Sequence, residues 1–338
     1  LYDVDAVLCA GDLFDAPDPG QQWWQAVCDV FAKCDQAGWN RPVILLPGNH
    51  DPLTPESVYL RRHPFRRALP DWVHVVDRDD FKLELNPRAV VYAAPCHSTA
   101  GDNDLALTLP QREDGDDRIR IGLVHGSTFD MAGYETNFPV SKDAPQRRGL
   151  DYLAIGDTHG FREVDGGSEA APIVYPSTPE PTSFSESGAG FVAIVRFGRR
   201  GIRPRVKCEP VARWTWREIT VQSLDELRRV ANENLQSTVV KLSLDLTVTE
   251  PESEEVEQFV RLLRGTEAVS ARVGGLDLNR SRFHITVDHS DPLDSELPKA
   301  ILDAAGSLQQ QAEQSEGRDR DVAQRAMQIL RRMLREIH

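Results

Sequence analysis

Four short apolar runs along the chain end in the same way. Val43-Ile44-Leu45-Leu46 gives way to Pro47-Gly48-Asn49-His50-Asp51, and the run Ala6 to Ala10 gives way to Gly11-Asp12-Leu13-Phe14-Asp15. Ile119 to Val124 runs into His125-Gly126, and Tyr152 to Ile155 into Gly156-Asp157-Thr158-His159-Gly160. A brief unbroken apolar run bounded by turn residues is the pattern of a buried strand. Pro and Gly then stop the strand and turn the backbone. Each run so delivers an Asp, Asn or His to a loop at a strand's carboxyl end, where open α/β sheets hold their ligands. One such ending is an ordinary turn. Four predict several strands feeding a common rim.

The elements between these runs follow from the same patterning. After Pro17-Asp18-Pro19, a helix is predicted from about Gln21 to Ala37, with Trp24, Val27, Cys28 and Phe31 as its apolar stripe and Gly38 as its stop. Trp23 and Trp24 are assigned to core packing. Trp72–Val76, Phe81–Leu85 and Ala89–Ala93 read as strands, and Asp102 to Asp117 as a polar surface excursion. Phe129 to Gly149 reads as a long loop near the rim. Ile173–Tyr175, Phe191–Phe197 and Ile202–Cys208 read as closing strands of the sheet.

The pattern changes after Trp216. Leu224–Asn232 and Glu252–Leu263 read as helices. Thr238–Val248 is an alternating strand, and further strands are expected near Val269–Val273 and Phe283–Val287, giving a small α+β module. Ser307 to Arg320 reads as a connector to a last amphipathic helix, whose apolar face (Val322, Ala326, Ile329, Leu330, Met333, Ile337) suits packing on its own domain or docking of a partner equally well. The expected division is residues 1–212, 213–306 and 307–338.

Bulk properties narrow the function. The chain has 338 residues, 40% hydrophobic and 27% charged, which is ordinary for a soluble globular protein with more than one domain. Its five scattered cysteines form no C-x-x-C pair, which argues against a thiolate zinc site and for reduced thiols in the cytoplasm. No apolar run approaches the roughly 20 residues of a membrane-spanning helix. The net charge of −14 argues against a surface coated for non-specific DNA binding, but not against a nucleic-acid enzyme with local basic groups. Two such groups stand out. One is Arg61, Arg62, Arg66 and Arg67, either a phosphate contact or a solvated helix face. The other is the six basic residues from Arg196 to Lys207, either a phosphate face or an exposed hairpin. Leu1 opens almost directly into a strand, so a preceding segment is expected.

Asp12, Asn49, His125, Asp157 and His159 are hard oxygen and imidazole donors, a set suited to Mn²⁺, Mg²⁺, Fe or Zn²⁺ and leaning toward Mn²⁺. A metal pair about 3.5–4 Å apart lowers the pKa of water and clamps the oxygens of an in-line attack on phosphorus. Asp12 is the expected bridging carboxylate. His50 is placed beside the metals to protonate or stabilise the leaving oxygen, with Asp15 holding its ring.

The ordered set Gly11-Asp12, Gly48-Asn49-His50-Asp51, His125-Gly126 and Gly156-Asp157-Thr158-His159 resembles the calcineurin-like metallophosphoesterase family. Gly122–Ser127 and Tyr175-Pro176-Ser177-Thr178-Pro179-Glu180-Pro181 are similar to its bacterial DNA repair exonuclease branch, the nuclease subunit of SbcCD-type complexes. The resemblance covers residues 1 to about 212. It implies a four-layer α/β/β/α sandwich, two Mn²⁺ ions, phosphodiester hydrolysis, DNA as substrate, an SbcC-like ATPase partner at the C-terminal region and a homodimer. It assigns Asp12 to both metals, Asn49 and His125 to the second, His159 to the first and His50 to catalysis. The family's opening Asp-x-His motif has no match here, Asp157 replaces a usual histidine, and Ser177 stands where the branch often has glycine. The first metal is therefore expected to bind weakly, with only Asp12 and His159 as protein ligands. A small-molecule phosphodiesterase and a catalytically weakened scaffold are the competing expectations.

Overall fold

The computed structural model describes residues 3–128, 136–165, 171–265, 270–286, 297–315 and 318–337. They divide into two compact units, Leu1–Trp214 and Thr215–His338.

In the first unit the order is β1 (Val7–Cys9), α1 (Gln21–Gln36), β2 (Val43–Leu45), α2 (Pro64–Ala68), β3 (Val73–Val75), β4 (Phe81–Asn86) and β5 (Ala89–Ala93). A 3-10 turn at Leu105–Thr108 precedes β6 (Ile119–His125), β7 (Ser127–Thr128), β8 (Pro139–Val140), α3 (Ala144–Arg148) and β9 (Tyr152–Gly156). β10 (Phe161–Val164), β11 (Ile173–Pro176), β12 (Phe191–Arg196) and β13 (Arg205–Pro210) complete it. β1, β2 and β3 form one parallel sheet. A second sheet has the order β10-β11-β9-β6-β5-β4, parallel except for its two edge strands.

Side-chain alternation turns these sheets into layers. From β2, Val43 and Leu45 enter a core with Cys28, Trp24 and Phe31 of α1 and Phe65 of α2, whereas Ile44 and Leu46 enter the core between the two sheets. In β9, Tyr152 and Ala154 face that same inter-sheet core, while Leu153 and Ile155 join Leu105, Leu109 and Ala144 on the far side. The order is helix, sheet, sheet, helix, the expected α/β/β/α sandwich. Strands buried on both faces explain the unbroken apolar runs.

Several expectations need correction. β12 and β13 pair with each other and not with the main sheet. Trp23 is 62% exposed, so only Trp24 packs in the core. The polar excursion 102–117 anchors itself through buried Leu105, Ala106 and Leu109, with the Asp104 carboxylate accepting from the Ala106 and Leu107 amides. Of the expected loop 129–149, β8 and α3 are ordered elements; residues 129–135 lie outside the described residues.

The second unit runs β14 (Thr215–Val221), α4 (Leu224–Asn232), β15 (Leu235–Thr249), α5 (Glu250–Arg264), β16 (Val273–Thr286), α6 (Lys299–Gln314) and α7 (Arg318–Ile337). Its three strands are parallel in sequence order. Val240, Leu242, Leu244 and Leu246 of β15 pack with Leu227, Val256 and Val260 of the two helices. The Glu252 carboxylate accepts the Thr249 amide at 2.7 Å and so caps α5. The two strands expected at 269–273 and 283–287 are one strand where described, because its exposed polar positions broke the apolar pattern. Ser307 to Gln314 is not a connector: α6 continues through the boundary placed at 306/307 and packs on α7.

Candidate metal centre

β1 and β2 are parallel neighbours, so their carboxyl ends project the same way. The same holds for β6 and β9, where His125 stands in register with Gly156. A bond across the sandwich joins the two pairs: the buried His125 ring lies with Nδ1 2.8 Å from the Ala10 carbonyl oxygen. Donation to that carbonyl fixes the tautomer and turns Nε2 toward the rim. His125 Nε2 then lies 2.7 Å from Asn49 Oδ1, 3.2 Å from Asp12 Oδ2 and 3.9 Å from Asp157 Oδ1. Four of the five expected ligands therefore meet at one point.

Close packing enforces the meeting. A Cβ at Gly48 would come within 2.5 Å of the Asp12 amide nitrogen, and one at Gly156 within 2.8 Å of His125 Nδ1 while striking the Ala10 carbonyl. Asp12 and Asp157 adopt φ of +53° and +114°, a region costly for residues other than glycine. Such strain gathers where function fixes the backbone.

Asp51 is the anchor beneath. Its fully buried carboxylate accepts the Asp12, Phe14 and Gly48 amides at 3.2, 3.0 and 2.7 Å and the Tyr59 hydroxyl at 2.7 Å. Asp12 Oδ1 in turn accepts the His50 amide at 3.0 Å. The loops after β1 and β2 are thus held as one body. In the sequence Asp51 reads as a carboxylate able to bind a metal or move a proton beside Asn49 and His50; in the fold it is a structural anchor. Tyr59 carried no sequence signal.

The other expected residues separate. His159 is half exposed, with Nδ1 2.7 Å from the Glu186 carboxylate, a partner the sequence did not reveal. Ser177, at φ +82°, occupies a glycine-type conformation; its Oγ lies 3.0 Å from the His159 and Gly188 carbonyl oxygens. Asp15 does not hold His50: both are exposed, and no hydrogen bond or ion pair joins them among the described residues. His50 stays tied to the site through its backbone amide, which donates to Asp12 Oδ1. Arg62 turns away to the Pro55 carbonyl, and Arg67 reaches the Arg62 carbonyl. Arg61 and Arg66 approach Asp77. On the β12–β13 hairpin, Arg203 pairs with Glu163 and Lys207 with Glu209, favouring an internally neutralised face over a free phosphate surface.

The electrostatics fit a hard cation. Burial alone would raise Asp12, but hydrogen bonding and charge from His125 hold it below the usual carboxylate range. Burial alone would lower His125, and Asp12 raises it instead. Asp157 is raised, chiefly by burial. Burial, with Asp51 adding, pushes the Cys9 thiol to about 12, so it offers no thiolate. As they stand, no three His, Cys, Asp or Glu side chains among the described residues are spaced for a cation. The fourth member of the converging set is the Asn49 amide, which lies outside those residue types.

The Asp12–His125 ion pair has a definite pH window. Raised His125 stabilises the fold fully below the ordinary histidine pKa and loses its effect as pH climbs through the folded value. Lowered Asp12 stabilises above the ordinary carboxylate range and loses its effect as pH falls through the folded value. A cation at Nε2 must replace the shared proton. Divalent-metal affinity should therefore rise as pH climbs above the ordinary histidine value, with about one proton released per bound ion. Calorimetry in two buffers of different ionisation enthalpy measures this; pH-independent binding without proton release would count against His125 as a ligand.

Among the described residues no helix is long and apolar enough to cross a membrane, and all five cysteines are free. The chain is 28% identical over 189 residues to the Uncharacterized metallophosphoesterase YhaO of Bacillus subtilis (strain 168), an alignment covering 55% of this chain and 43% of that protein. The chain thus spans less than half the length of that relative. Residues 1–161, which contain every converging donor, match the family described as calcineurin-like phosphoesterase. The similarity to calcineurin-like phosphoesterases thus covers the stretch that holds the candidate metal centre.

Proposed function

We propose that the protein is a Mn²⁺-dependent DNA nuclease acting on ends or single strands. The convergence of Asp12, Asn49 and Asp157 on His125 Nε2 carries the hydrolytic part of this reading. In this reading Asp12, Asn49, His125 and Asp157 would hold a divalent metal ion, and His159, on the Asp157 loop, would be the further candidate ligand for a second. Bound metal ions supply an acidified water and offset the charge on phosphorus. The chain's own residues do the rest. Asp51 keeps the Asp12 and Asn49 loops fixed. His125 presents a lone pair once its proton leaves. The exposed His50 imidazole, at the rim beside Asp12 and Asp157, donates a proton to the departing oxygen.

DNA as the substrate rests on the sequence similarity at Gly122–Ser127 and Tyr175–Pro181. An SbcC-like ATPase partner belongs to the same reading, supported by Val322, Ile329 and Met333 of α7, each more than half exposed. A homodimer is its further element.

Labelled single- and double-stranded DNA, bis-p-nitrophenyl phosphate and cyclic nucleotides, each with Mn²⁺, test the substrate. We expect DNA cleavage, reduced about 10²–10⁴-fold in His50→Ala, the range for loss of a general acid. Turnover of the small esters alone would replace the nuclease with a small-molecule phosphodiesterase. No turnover with any metal would leave a binding scaffold.

A further inference from the structure

The His159 side chain is held more firmly than its exposure explains. Half of it faces solvent, yet Nδ1 lies 2.7 Å from Glu186 Oε1. Exposed ion pairs contribute little to stability and cost side-chain freedom. Glu186 is the opposite case, with a side chain only 11% exposed. Its other oxygen accepts the Thr182 amide at 2.8 Å, and the Thr182 hydroxyl donates to the same oxygen that meets His159. A carboxyl surrounded by three donors is an ionised acceptor. The carboxylate is therefore fixed by Thr182, and the imidazole is what it fixes.

The partner atom decides which ring nitrogen carries the proton. An acceptor-only carboxylate at Nδ1 requires N–H there, which leaves the lone pair on Nε2. Donation to a carboxylate also makes that lone pair more basic. The backbone is held from the same connection between β11 and β12: the Thr178 amide donates to the His159 carbonyl at 3.0 Å, and the Phe161 amide to the Gly188 carbonyl at 3.0 Å. His159 is thus prepared as His125 is, whose Nδ1 meets the Ala10 carbonyl. The apolar run that delivers Asp157 and His159 supplies none of this. Thr182 and Glu186 lie beyond the stretch 1–161 that matches the family.

We propose, on the reading of His159 as ligand for a second ion, that Glu186 is its positioning residue, holding the Nδ1–H tautomer so that Nε2 is the donor to a divalent metal ion. Thr182 keeps the carboxylate turned to the ring. Glu186 acts only through His159.

Both measurements use the whole chain and no phosphoester, so they are independent of whether DNA is the substrate. The first is NMR of metal-free protein in EDTA, isotope-labelled in its histidines, at about pH 8, above the ordinary histidine value. The His159 signal is identified by its loss in His159→Ala. We expect Nδ1 protonated and Nε2 bare in the unsubstituted protein, with a shift toward Nε2–H in Glu186→Ala. The second is Mn²⁺ calorimetry on the unsubstituted protein, Glu186→Ala, His159→Ala and the double variant. Glu186→Ala should weaken one ion's binding about 10–100-fold. The ion at His125 should bind as before, which shows that the chain has folded. The double variant should bind no more weakly than His159→Ala, because both changes act through one imidazole. Nε2–H in the unsubstituted protein, equal losses for both ions, or additive losses in the double variant would overturn the positioning role. If His159→Ala weakens Mn²⁺ binding and Glu186→Ala does not, only the positioning role falls. If His159→Ala leaves Mn²⁺ binding intact, the ligand reading of His159 falls and the role of Glu186 with it.

Discussion

Asp51→Ala should cost about 4 kcal/mol of stability in the first unit, a large share of what a domain possesses. The carboxylate accepts from three backbone amides and one phenol at a site with no solvent exposure. Alanine leaves all four donors stranded, each costing about 1–3 kcal/mol before water or relaxation recovers part of it. Asp51→Asn should cost less but still about 2 kcal/mol, because the amide NH₂ turns a donor toward donors. Tyr59→Phe removes one donor only and should cost about 1–2 kcal/mol. Urea unfolding gives the totals. Hydrogen exchange at the Phe14 and Gly48 amides shows whether the loss begins at this anchor. A change below about 1 kcal/mol for Asp51→Ala would mean that the two loops hold their shape without it.

Asp12→Asn should lower kcat for bis-p-nitrophenyl phosphate by about 10²–10³-fold, the range for removing one preorganised electrostatic group from a transition state. It should do so with little loss of fold. Asparagine tolerates positive φ better than most residues, which suits the +53° at this position. The Asp12 amide still donates to Asp51, and the new amide oxygen can still accept from the His50 amide. What disappears is the negative charge beside His125. Melting temperature, metal affinity and kcat measured on one preparation separate these effects. A large loss of stability with kcat unchanged per folded molecule would assign Asp12 to structure instead.

The sandwich was legible because its strands are buried on both faces. Val43 to Leu46 divide between two cores, so the chain shows an apolar run there instead of alternation. The donors were legible because each follows such a run directly. Elements lacking that contrast were harder to see. β16 is largely exposed and read as two fragments, and the Gln-rich stretch of α6 read as a connector. Contacts between distant side chains carried no sequence signal. Glu186 meets His159 across 27 positions. Asp15 shows the converse: close spacing to Asp12 implied a link to His50 that the loop geometry does not make. Ser177 read as a departure from a glycine, and its φ of +82° shows what that glycine position demands.

Anomalous scattering from crystals soaked in Mn²⁺ tests the metal centre most directly. A peak is expected within bonding distance of Asp12 Oδ2, Asn49 Oδ1, His125 Nε2 and Asp157 Oδ1 together, with His125 Nδ1 still on the Ala10 carbonyl. A manganese peak elsewhere, or one that leaves His125 Nε2 on Asn49 and Asp12 undisturbed, would contradict it.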